Sequence, residues 1–192
     1  MFDPSLLWYL GRGSGLVAEV LLTVVVVMGA VSSAPGGSGS VRRRVLLQGL
    51  HRQLPLAGVV VLVVHIGTLV LDTYVDLDLV DVVLPFGSTY RTVWLGLGTL
   101  ALDLAAVVVV TSLLRSHLGP RSWRATHLLA YVAWAMAMAH GLMSGTDVGS
   151  MPVRWLAAGC VGAVGMALTY RIESARSVNR RAPVGERLAA RS

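Results

Sequence analysis

Four of the five histidines fall into two spaced pairs, His51 with His65 and His127 with His140. Imidazoles converging from facing helices can take both axial positions of a haem iron. His51 and His65 stand fourteen residues apart, which on an ideal helix means within about 40° of one face and a rise of ~21 Å. His127 and His140 stand thirteen apart, a rise of ~19.5 Å with a net turn of about 140°. Their helix is therefore expected to change its winding locally, through a π-bulge, or to hold tilted haems. Pro55, four residues after His51, is expected to kink its helix or to begin it. Each histidine also has a plainer reading, as a side chain that bonds across helices or sits at an interface. His117 falls in a basic loop and needs no special role.

Other residues could serve the same chemistry. Gly58 lies seven residues after His51, on the same face and midway between the two expected haems. Ala130, Ala133 and Ala137 leave room along the second helix, although small residues also let membrane helices approach closely. Glu19 and Asp103 sit in apolar runs, where an ionised carboxylate is costly unless paired. Asp103 is expected to accept a hydrogen bond from a ligand imidazole, to serve a proton route, or to bond Thr68, Thr99 or Thr111 across helices. Arg52 and Arg124 beside the inner histidines, and Arg91 and Arg154 at the outer ends, could each pair a haem propionate. Asp72, Asp76, Asp78 and Asp81 could draw a cationic acceptor such as ferric ion, or simply mark a side poor in positive charge.

Such residues need rigid elements to hold them, and composition says which. Of 192 residues, 55% are hydrophobic and 14% charged, with a mean hydropathy of +0.69. That leaves too few charges to cover a soluble domain. Five apolar segments approach the length a helix needs to cross hydrocarbon: Gly15–Ala34, Pro55–Leu71, Val93–Leu114, Ala125–Ser144 and Arg154–Tyr170. Lipid cannot satisfy exposed backbone groups, so the expected fold is all-α: a bundle of five transmembrane helices without a soluble domain. Glu19 inside the first run and Arg42–Arg44 after it favour an uncleaved helix over a signal peptide, despite the small residues Ser32, Ser33 and Ala34. Cys160 is the single cysteine, which leaves no disulfide framework and no thiolate metal site. Ser32–Ser40 reads as a flexible loop, and Val75–Leu84 as a surface-lying amphipathic segment that Pro85 ends. The domain is expected to span residues 1–171, and residues 172–192 to form a basic, irregular cytoplasmic tail.

All sixteen basic residues are arginine, and the net charge is +6. Threaded with the amino terminus outside, thirteen fall on one side: Arg42, Arg43, Arg44, Arg52, Arg115, Arg121, Arg124 and six from Arg171 to Arg191. Arg12, Arg91 and Arg154 fall on the other. The positive-inside rule then gives N-out and C-in, so the basicity describes topology and not a nucleic-acid partner. Helices 2 and 4 of the five run in the same direction. His51 is thereby expected to face His127 near the cytoplasmic side, and His65 to face His140 nearer the outside.

From about Trp8 to Tyr170 the chain resembles the ferric reductase-like transmembrane domain. That family includes ferric reductases, NADPH oxidases and the haem-binding membrane subunit of methionine sulfoxide reductase systems. The resemblance is carried by Trp8-Tyr9-Leu10-Gly11-Arg12-Gly13, by His51-Arg52 with His65, and by Pro85-Phe86-Gly87-Ser88 with Tyr90-Arg91 and Trp94. Trp123-Arg124 and His127 through His140 complete it. The family's ligands also pair at fourteen and thirteen residues. The resemblance implies two b-type haems, His51/His127 holding the inner and His65/His140 the outer.

Only 22 residues follow Tyr170, far fewer than a flavin or nicotinamide domain needs. Gly11-Arg12-Gly13-Ser14-Gly15 has no strand before it and is not a dinucleotide loop. The expected activity is that of a multi-pass cell-membrane cytochrome b. It would take electrons from a separate flavoprotein or from quinol and pass them to an acceptor outside, as the haem part of an oxidoreductase. A haem-free bundle that binds a partner or moves a solute, and a single-haem relative, are the alternatives.

Overall fold

The computed structural model describes residues 4–35, 41–72, 77–89, 91–145, 147 and 149–181. These are helical, with no strand among the described residues. The elements are α1 (Pro4–Ser32), α2 (Val41–Leu71), α3 (Leu79–Val83), α4 (Thr92–Leu113), α5 (Pro120–Ser144) and α6 (Met151–Arg181).

Four helices, α1, α2, α4 and α6, are long and apolar enough to cross a membrane. The remaining long helix, α5, has 25 residues, a length of about 37 Å at 1.5 Å per residue. It is less apolar because His127 and His140 lie within it and Arg121 and Arg124 open it. The polar groups that lower its hydropathy are the ones that could do chemistry.

Helix boundaries follow local chemistry. Gly119 is the N-cap of α5 and Pro120 its first residue, where a missing N–H costs nothing and the ring presets φ. The helix therefore starts before the Ala125 read from the apolar run. Pro55 neither begins nor ends α2, which runs unbroken back to Val41. The ring removes the hydrogen bond to the His51 carbonyl, and packing against α1 holds the helix through that gap. α5 is α-helical throughout, with no π-bulge between its histidines. The helix α6 continues to Arg181, so the expected irregular tail is helical over residues 172–181; residues 182–192 lie outside those described.

Two antiparallel pairs make the frame: α1 lies along α2, and α4 lies along α5. α1 also touches α5 and α6, which ties the pairs together. α2 packs closely on α1 alone, so its backbone stands away from α4 and α5. The small core at the seam comprises Met138, Ala157 and Cys160, with Val20, Trp134 and Leu142 against it. Trp134 Nε1 donates to Thr23 Oγ1 at 3.0 Å, fixing α5 to α1 with a satisfied polar pair. The short α3 leans on α4, where Asp81 supplies a carbonyl to Thr99 Oγ1 at 2.9 Å. Of the segment expected to lie on the surface, residues 75 and 76 lie outside those described, and Pro85 follows the helix as expected.

Candidate functional site

The gap between α2 and the α4–α5 pair is a cavity of about 250 Å³. Its wall is mostly aliphatic and comes from α1, α2, α3, α4 and α5, with His65, His140, Gly58, Glu19, Arg12 and Asp81 among the lining residues. His65 from α2 and His140 from α5 face each other there, ring centres 6.4 Å apart and planes at 78°. Toward the other end of the bundle His51 and His127 repeat the arrangement, at 6.0 Å and 77°. Two imidazoles on opposite sides of one iron, each bonded at about 2 Å through a nitrogen ~1.1 Å from its ring centre, would have centres roughly 6 Å apart. Both pairs fit that separation.

Their outward nitrogens are also held. His65 Nδ1 donates to the Gly11 carbonyl at 2.7 Å, and His51 Nδ1 to the Val25 carbonyl at 3.0 Å. His140 Nδ1 donates to the Trp94 carbonyl at 2.8 Å, with Ser144 Oγ a further 3.3 Å neighbour. A carbonyl can only accept, so Nδ1 carries the proton in these three rings and Nε2 keeps its lone pair for a metal. His127 Nδ1 has Ser112 Oγ at 3.4 Å, and its ring stacks on Trp123 with centres 5.0 Å apart. Arg115 also lies over that indole, its Cζ 4.6 Å from the ring centre. α5 brings both histidines to facing partners on α2 while staying α-helical between them.

Each site offers two imidazole nitrogens, and no three His, Cys, Asp or Glu side chains converge among the described residues. A bare zinc or copper ion takes three or four protein ligands. Two trans nitrogens suit a metal that arrives with its own equatorial donors, as haem iron does.

Arg52, Arg91, Arg124 and Arg154 are exposed and none lines the cavity; long guanidinium arms at helix ends reach toward water. Arg91 donates instead to the Met143 carbonyl at 2.5 Å. The cation that does line the cavity is Arg12. It pairs with Asp147 at 2.7 Å and donates to the Gly141 carbonyl at 3.2 Å. In the sequence Arg12 counts toward topology and toward the family resemblance, with no site role. Its place between Gly11 and Gly15, the two α1 residues that meet His65, is what brings it to the cavity.

Asp103 is not the partner of the His51, His65 or His140 Nδ1–H groups, which go to main-chain carbonyls. Nor does it lie on the cavity wall. Thr68 and Thr111 bond carbonyls of their own helices and Thr99 reaches Asp81, so the expected interhelical partners are engaged elsewhere. Gly58 lines the cavity. Asp72 is buried, Asp76 lies outside the described residues, and Asp78 accepts Asp81 into the first turn of α3, its own N–H meeting the Asp81 carboxylate at 3.3 Å. His117 is exposed.

No protein-family model, no curated protein and no solved structure matches this chain. The likeness to ferric reductase-like domains therefore rests on the residues that carry it.

Proposed function

We propose that the chain is a five-span membrane cytochrome b, lying N-out and C-in in the cell membrane, that passes electrons outward through two haems b. The observation that carries this reading is two pairs of facing imidazoles from α2 and α5, with ring centres 6.0 and 6.4 Å apart. Bound haem supplies a one-electron ferric/ferrous couple at each site. The chain's own part would be to fix the tautomers of His51, His65 and His140 through Nδ1, leaving their Nε2 lone pairs for iron, to hold His127 against Trp123, and to surround the outer site with aliphatic side chains. Arg12 is the cation placed for the propionates of the outer haem. Along α2 the two sites are separated by a rise of ~21 Å, most of the hydrocarbon thickness. The electron donor in this reading is a separate flavoprotein or membrane quinol, and ferric ion is one candidate acceptor.

A single-haem protein is the second reading, favoured by one feature: the cavity reaches His65 and His140 but neither His51 nor His127. Reduced-minus-oxidised spectra and haem content of the purified chain decide between them. Two b-type haems per chain are expected. One haem supports the second reading, and none leaves only a membrane bundle.

A further inference from the structure

Three of the four histidines are served by a repeated device on the helices that flank them. On α1 the carbonyls of Gly11 and Val25 accept from His65 and His51, and one turn after each stands Gly15 or Gly29. A Cβ at Gly15 would lie 2.9 Å from His65 Cε1, and one at Gly29 3.0 Å from His51 Cε1. On α4 the Trp94 carbonyl accepts from His140, and a Cβ at Gly98 would lie 2.6 Å from its Nδ1. Each ring thus takes a carbonyl at position i and rests on a glycine at i+4. The two cradles on α1 are fourteen residues apart, like the histidines they serve.

Counting fourteen from Trp94 and Gly98 along α4 gives Val108 and Ser112. There the pattern breaks. Ser112 carries the Cβ that the other three positions exclude, so the His127 ring stands off and meets Ser112 Oγ at 3.4 Å instead of a carbonyl. The Val108 carbonyl takes Thr111 Oγ1 at 3.2 Å, much as the Gly11 carbonyl takes Ser14 Oγ at 3.1 Å while still serving His65. The acceptor is present but the ring does not reach it.

We propose that Ser112 makes the two haem sites electronically unequal by holding His127 away from the α4 carbonyl that its three counterparts would use. This rests on the haem reading above. An N–H donated to a carbonyl makes an imidazole a more basic ligand, which favours ferric iron. The outer pair has two such bonds, at 2.7 and 2.8 Å. The inner pair has one, at 3.0 Å, and one long contact to a hydroxyl. By this effect the inner haem is the easier to reduce. Trp123 stacked on His127 holds the ring that the backbone does not, so Ser112 acts as a positioning residue through His127.

The test is potentiometric titration of the purified full chain with redox mediators, read at the haem α-band, with low-temperature EPR of the ferric form. S112G removes the Cβ, lets the ring close on the Val108 carbonyl, and should lower one potential by at least tenfold in the ferric/ferrous ratio, ~59 mV for one electron. S112A keeps the Cβ but deletes the acceptor and should raise the same potential, while S112T should restore it. The other haem should not move. An S112G protein with full haem content and unchanged potentials overturns the proposal, as does a shift of the same sign in S112G and S112A. S112G decides the matter even where S112A does not hold haem. A wild-type chain with fewer than two haems overturns the haem reading instead, and is recognised before any variant is titrated.

Discussion

His65 on α2 and Gly11 on α1 are joined by a 2.7 Å hydrogen bond between Nδ1 and a main-chain carbonyl, 54 positions apart in the chain. Gly11 is buried, so the bond is shielded from competing water and holds the ring in one tautomer. A helix carbonyl is normally saturated by its own N–H at i+4, but its second lone pair remains free to accept. α1 therefore orients the His65 ring without contributing an imidazole of its own.

Removing one ligand of a pair should empty that site and spare the other. His65→Ala or His140→Ala is expected to lower haem content from two per chain to one, measured as pyridine haemochrome against protein. Both variants retaining two haems would rule out the pairing.

Filling a cradle should do the same indirectly. Gly98→Val places carbon against His140 Nδ1, and Gly29→Val against His51 Cε1. Overpacking of this kind costs about 1–3 kcal/mol, and the displaced ring loses its haem. Gly159→Ala, with open space around it, should leave haem content and melting temperature unchanged. Equal effects at all three positions would point to general intolerance of the helices.

Arg12→Gln removes the partner of Asp147, whose carboxylate is only about a quarter exposed. A loss of about 1–3 kcal/mol is expected from the polar groups left unpaired, seen as a lower melting temperature in detergent. Loss of a cation beside the outer site makes adding an electron harder, so the potential of the outer haem should fall. An unchanged potential would remove Arg12 from that site.

The Phe86 ring occupies the notch that Gly96 leaves on α4, and Phe86 itself holds a φ of 68°. Gly96→Ala must displace the ring and should cost about 1–3 kcal/mol. Thermal unfolding with and without haem reports whether the loss stays local to α3.

Orientation can be read by cysteine labelling. Cysteines at Gly149 and Ser177, both exposed, should differ: an impermeant maleimide labels the first in intact cells and the second only after permeabilisation. The reverse result inverts the topology.

The membrane character, the helical class and the four histidines were legible from residue types alone, because hydrocarbon dictates apolar runs of known length and leaves few polar groups unexplained. The run of α2 through Pro55, the unbroken α-helix of α5 and the helical extension to Arg181 were not. Propensity rules give the local cost of a proline or a winding mismatch, whereas neighbouring helices and side-chain rotamers supply what offsets it.

What the sequence by itself determined was which side chains could ligate and how far apart they rise along their helices. Only the tertiary structure decided what holds His51, His65 and His140: Gly11, Val25 and Trp94 through carbonyls, and Gly15, Gly29 and Gly98 through absent side chains. The physical reason is that a backbone oxygen and a missing Cβ carry no signature in residue type. Their effect exists only where another helix comes close enough to use them.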